Sequence, residues 1–192
     1  MKYSPTGISG MWLIEPVRFG DSRGYFMETF RLEEFRRATG TAINFVQDNE
    51  SMSTRGVLRG LHFQRGSFSQ AKLVRVSEGC VLDVAVDLRP GSPTFGRHFA
   101  AELSADNARQ LFIPRHFAHG FLVLSETARF QYKVDNIYAP RAEATLNFRD
   151  PSLAIAWPEI PGGYILSQKD TLNALTLSQA AAIVASDPEE PV

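Results

Sequence analysis

Apolar residues recur at every second position through much of this chain, in short runs divided by turn formers, the pattern of half-buried strands. Residues 45–47, 57–64, 72–76, 81–88, 99–103, 110–113, 120–124 and 130–134 read as strands. The dividers at 77–79, 89–93 and 104–107 carry Gly, Pro or Asx turn chemistry. Many short strands at regular spacing predict an all-β sandwich or closed barrel. Residues 31–39, with Leu32 and Phe35 three apart among charges, predict one short helix, and residues 172–184 predict a second. No internal repeat or interior linker breaks the chain. The reading is one domain over residues 1–185, with an acidic, proline-rich tail at 186–192 that frays.

Charged groups interrupt these strands where aliphatic residues would be the rule. Arg59 and His62 lie in the 57–64 run, and Lys72 in the run that follows. A charge on a half-buried strand must be paired or functional, because an unpaired buried charge is costly. Alternation places Lys72 on the face of Val74 and Val76, and Tyr132 on the face of Phe130 and Val134, so both polar tips project from apolar walls into one interior. Strict alternation would point Arg59 and His62 to opposite faces. Gly60 between them is the natural place for a bulge, which would bring both into one pocket.

The net charge of −1 argues against non-specific nucleic-acid binding, though it leaves room for a small phosphorylated ligand. The single Cys80 sits in an apolar run and reads as a core residue. No apolar run approaches a membrane span, and the N-terminus lacks the layout of a signal peptide. These features predict a cytoplasmic protein. His98 and His116 carry no supporting pattern and are given no role.

Taken together, the motifs resemble the dTDP-4-dehydrorhamnose 3,5-epimerase family. They comprise the stretch from Phe19 to Phe26 with Glu28, the stretch 45–49 (Phe-Val-Gln-Asp-Asn), and 57–64 (Val-Leu-Arg-Gly-Leu-His-Phe-Gln). The stretches 70–75, 83–89, 92–96, 111–114, 117–121, Tyr132 with Lys133, and 167–170 (Ser-Gln-Lys-Asp) follow in order. The resemblance implies a cupin-type jelly roll with a few short peripheral helices, usually a homodimer, that needs no cofactor. Its implied reaction is epimerisation at C3 and C5 of dTDP-4-dehydro-6-deoxy-D-glucose, giving dTDP-4-dehydro-L-rhamnose. By position it implies His62 as base, Asp170 as the group orienting it, Tyr132 as acid on the other face of the sugar, and Lys72, helped by Arg59, as the cation on the enolate oxygen. Arg23, Glu28, Gln47, Asn49, His119, Glu143 and Lys169 match positions that hold the dTDP-sugar or support the site, some of them across the dimer interface.

Two departures stand out. The segment after Glu143 lacks the family's usual glycine, and 158–164 is rich in turn formers that suggest a flap. Many cupins hold a metal through a His-x-His pair. The matching position here reads His62-Phe63-Gln64, and glutamine is a poor ligand for a transition metal, so no metal site is expected. The alternatives are a relative that inverts only C3 or C5, a sugar-nucleotide-binding protein without catalysis, and a metal-dependent cupin oxygenase.

Overall fold

In the computed structural model, which describes residues 1–186, two antiparallel sheets face each other across an apolar interior. In chain order the strands are β1 Lys2–Pro5, β2 Trp12–Glu15, β3 Arg18–Asp21, β4 Gly24–Met27, β5 Gln47–Thr54, β6 Leu58–Gln64 and β7 Lys72–Glu78. They continue as β8 Cys80–Asp87, β9 His98–Ser104, β10 Gln110–Ile113, β11 Phe117–Val123, β12 Thr127–Val134 and β13 Glu143–Thr145. One sheet runs β1-β2-β10-β7-β12-β5 and the other β13-β6-β11-β8-β9, while β3 and β4 form a separate hairpin. This is the cupin-type jelly roll implied by the sequence.

Alternation explains the layering. Val74, Val76, Val81, Ala85, Leu111, Phe121 and Phe130 meet between the sheets. The opposite face of the six-stranded sheet is covered by helix α1 (Leu32–Thr39), whose buried Phe35 packs edge-on against Phe45 and Phe112. The outer face of the five-stranded sheet is covered by the C-terminal segment, with Leu58, Val84, Val86 and Leu122 against Leu146, Phe148 and Val184. Apolar burial thus falls on three levels, between the sheets and on the outer face of each.

The second helix begins later than its sequence pattern predicts. Residues 172–173 form a turn, with Asn173 left-handed at φ 59°; Leu175 is bridged to Leu146, and α3 occupies Leu177–Ser186. Its start is fixed by reciprocal bonds between Thr176 and Gln179: the Thr176 backbone N–H donates to Gln179 Oε1, and the Gln179 N–H to Thr176 Oγ1. The helix therefore reaches one residue into the expected tail, whose remaining residues, 187–192, lie outside those described. Residues 158–164 are not a flap over the cavity. Tyr164 donates to the Pro158 carbonyl and packs edge-on against Phe148, on the side of the five-stranded sheet away from the interior. Cys80 is half-buried rather than a core residue, and burial with nearby Glu102 pushes its thiol up to about 11, so it is no nucleophile.

Candidate active site

A cavity of about 360 Å³ opens between the sheets, with its walls drawn from both. The six-stranded sheet contributes Gln47 and Asn49 from β5, Lys72 from β7 and Tyr132 from β12. The five-stranded sheet contributes Arg59 and His62 from β6, His119 from β11 and Glu143 from β13. Helix α2 (Gln168–Thr171) brings Lys169 and Asp170 to the same space. Phe121 and Phe130, stacked with ring centroids 4.2 Å apart, line it and join it to the core. A groove of similar size crosses the outer face of the six-stranded sheet, but its two carboxylates are already engaged, Asp48 by Lys133 and Glu50 by Gln131 and Arg129.

The bulge expected at Gly60 is present. Strand β11 pairs His119 with His62 and Phe121 with Arg59, so β11 advances by two residues while β6 spends three. The extra residue turns Arg59 and His62 to the same face. Glycine is required on both strands here. A Cβ on Gly60, where φ is +117°, would stand 2.7 Å from the His119 carbonyl oxygen, and one on Gly120 would stand 2.4 Å from that of Arg59.

The one-turn helix α2 exists to aim Asp170. Ser167 caps it, and both the Ser167 backbone N–H and hydroxyl donate to Asp170 Oδ2, at 2.8 and 2.6 Å. Asp170 Oδ1 accepts the Gly60 N–H at 2.9 Å and lies 2.9 Å from His62 Nε2. The His62 Nε2 contact is short but falls outside straight hydrogen-bond geometry. Burial alone would raise the Asp170 carboxyl, but the donors from His62, Ser167 and Gly60 overcome it and hold it well below the usual carboxylate range. An ionised carboxylate beside Nε2 favours the proton there and leaves the lone pair on Nδ1.

Lys72 is the cavity's desolvated cation. Burial pushes its amine down to about 8, opposed by the charges of Asp83 and Glu143. At pH 7 it is mostly protonated. His119 is buried with Nε2 2.8 Å from Asp83 Oδ2; burial lowers it against the pull of that carboxylate, which keeps the ring neutral near pH 7. Burial raises the Tyr132 hydroxyl, helped by Glu143 and Tyr138, so it stays protonated and able to donate. Glu143 accepts from Lys169 at 2.7 Å and from the Tyr138 hydroxyl at 3.0 Å, a clamp at the cavity rim.

His62 and Tyr132 on opposite walls, with Lys72 lining the same cavity, match the motifs found in sequence, and the comparisons decide the family. The family model for dTDP-4-dehydrorhamnose 3,5-epimerase matches residues 5–178. The chain belongs to the dTDP-4-dehydrorhamnose 3,5-epimerase family. It is 52% identical over 165 residues to the dTDP-4-dehydrorhamnose 3,5-epimerase of Escherichia coli K12, covering 86% of this chain and 89% of that one. Its fold matches the dTDP-6-deoxy-D-glucose-3,5-epimerase of Legionella pneumophila Philadelphia 1, solved with dTDP-4-keto-L-rhamnose. That match has a TM-score of 0.91 at 44% identity and covers 98% and 99% of the two chains. A dTDP-4-dehydrorhamnose 3-epimerase from Streptomyces niveus is 38% identical over 180 residues, covering 94% of this chain and 86% of that one.

Of the residues that the family motifs single out, ten meet in the cavity and two do not. Arg23 sits at the exposed tip of the β3–β4 hairpin, paired with Asp21, and Glu28 pairs with Arg31. Sequence reasoning missed Asp83, Tyr138 and Ser167. Asp83 had left a signal: an acid in the middle of the apolar strand β8, on the inward face with Val81 and Ala85. Gln64, at the position where metal-binding cupins place a second histidine, accepts the Ala139 N–H. Among the described residues no three His, Cys, Asp or Glu side chains stand together as a group that could hold a metal ion.

Proposed function

We propose that this chain works as a single-domain, metal-independent, cytoplasmic double epimerase. It inverts C3 and C5 of dTDP-4-dehydro-6-deoxy-D-glucose to give dTDP-4-dehydro-L-rhamnose. The observation that carries the reading is the His62–Asp170 pair on one wall of the cavity with Tyr132 on the other. Both sugar protons are α to the C4 carbonyl, so removal of either gives an enolate at the same oxygen. One base and one cation therefore serve both centres. His62 Nδ1 takes the proton, Asp170 supports the imidazolium, Lys72 with Arg59 stabilises the enolate oxygen, and Tyr132 returns a proton to the opposite face. Gln47, Asn49, His119, Glu143 and Lys169 would hold the sugar and diphosphate. The reading is tested by coupling to a dTDP-4-keto-L-rhamnose reductase, which oxidises NADPH only when both centres have been inverted. A single-centre product leaves the coupled rate at background and favours the mono-epimerase reading, to which the lower identity of the 3-epimerase relative gives less support.

Two predictions follow from these roles. Tyr132→Phe lowers the rate of inversion by about 100-fold while deuterium washout from the substrate falls less than about 10-fold. Equal losses in the two assays would remove the tyrosine from the reprotonation step. In the native enzyme, kcat/KM declines as pH rises through about 8, where Lys72 loses its proton while Tyr132 keeps its own. An alkaline limb first appearing near pH 10 would contradict a working ammonium at Lys72.

A homodimer completes the reading. Among the described residues the β3–β4 hairpin pairs with no other strand, and it exposes Phe19, Tyr25 and Phe26, which are 63%, 61% and 71% accessible. Covering these rings with a second copy would carry Arg23 and Glu28 toward the partner's cavity. Mixing inactive Arg23→Ala and His62→Ala chains then restores activity, because a mixed dimer holds one intact site; no recovery, in chains shown by sedimentation to exchange, would place Arg23 in its own subunit's site.

A further inference from the structure

The cavity wall contains a second histidine–carboxylate pair beside the first. His119 and His62 are direct cross-strand partners on β11 and β6, and each has a carboxylate at contact distance, Asp83 at 2.8 Å and Asp170 at 2.9 Å. The two carboxylates are satisfied very differently. Asp170 takes donors on both oxygens, whereas Asp83 is wholly buried and only Oδ2 has a hydrogen-bond partner among the described residues. Since burial keeps His119 neutral, its N–H is a donor and not a counter-charge. A buried carboxylate with an unsatisfied oxygen is costly unless a cation stands near.

Lys72 is that cation, and it forms no direct ion pair of its own among the described residues. We propose that Asp83 is a positioning residue: Oδ2 fixes the His119 ring, and the unpartnered Oδ1 supplies the counter-charge that keeps the Lys72 ammonium in the cavity. The other facing groups cannot replace it. Glu143 on β13 also acts on the amine, but Lys169 and Tyr138 already draw on its charge. Asp170 on α2 is committed to His62, Ser167 and Gly60. Arg59 and His62 on β6 offer no negative charge, and neither does protonated Tyr132 on β12. The inference rests on the reading of Lys72 as the cation that meets the enolate.

The test titrates Lys72 directly, without turnover. The chain has four lysines, at 2, 72, 133 and 169, so lysine-selective 13C labelling gives four resolvable side chains, with Lys72 assigned by its loss in Lys72→Arg. Native Lys72 titrates at about 8. Asp83→Asn lowers that midpoint by roughly one unit or more, and Glu143→Gln lowers it less. An unchanged midpoint in folded Asp83→Asn overturns the proposal. Should that variant fail to fold, His119→Leu decides: with no donor left at that position the histidine's hold on Asp83 is released, so the midpoint rises, and an unchanged or lower one overturns the proposal. If the protein does not place deuterium in the sugar, the epimerase reading fails while this titration stands or falls by itself.

Discussion

Replacing His62 with alanine abolishes deuterium uptake at C3 and at C5 together. The loss is about 10²- to 10⁴-fold, the range over which a positioned general base acts. The joint loss is the informative part. Both protons are acidified by one carbonyl, and the proposed base is a ring whose free nitrogen is set by an adjacent ionised carboxylate. His119, its cross-strand neighbour, has Nε2 2.8 Å from Asp83, so exchange retained in the variant would pass the role of base to that ring. The fold survives the change, because Asp170 keeps its bonds to Gly60 and Ser167 when the imidazole is gone. Near-native exchange at either carbon, measured by NMR on a variant with a native melting curve, would sink the single-base scheme.

Lys72→Met has opposite effects on activity and stability. Loss of the cation at the enolate oxygen lowers kcat by about 10²- to 10³-fold, as for other donors placed where charge develops. Stability moves the other way. The amine's folded value of about 8 lies below its ordinary 10.5, a difference that disfavours the folded ammonium by about 3 kcal/mol. That cost is present in full below pH 8 and disappears as pH rises past 10.5, where the amine is neutral in both states. Methionine removes the cost but leaves Asp83 without its counter-charge, so the net gain at pH 7 is about 1–3 kcal/mol. Melting curves at pH 7 and pH 10 check this: the variant melts several degrees higher at pH 7, and the advantage shrinks at pH 10. A variant less stable than the native chain at pH 7 would mean that the pairing with Asp83 outweighs the desolvation of the amine.

The inner strands were legible in the sequence because one or both of their faces are apolar. Lys72 and Tyr132 stand inward beside Val74, Val76 and Phe130, as alternation requires, and the bulge at Gly60 follows from needing Arg59 and His62 on one side. Strand β5 was largely hidden. It reads Gln-Asp-Asn-Glu-Ser-Met-Ser-Thr, polar on both faces, since one lines the cavity and the other the charged outer groove. Its pairing with β12 comes from backbone hydrogen bonds that leave no hydrophobic signature. The short β1 to β4 were missed because they are mostly exposed or half-buried, whereas β10, also four residues long, is wholly buried and reads as a strand. Within the site, the family motifs led to Asp170 from 108 residues away from His62, a pairing that local pattern could not supply (170 − 62). Asp83 is the instructive omission. A lone acid in an apolar strand is itself the signal of a buried charge with a task.

The most direct measurement is proton NMR of dTDP-4-dehydro-6-deoxy-D-glucose in D2O with the chelator-treated protein. The account predicts that deuterium enters both C3 and C5 and that the L-sugar forms. Exchange at one carbon alone, or exchange that returns only when a metal is added back, would contradict it.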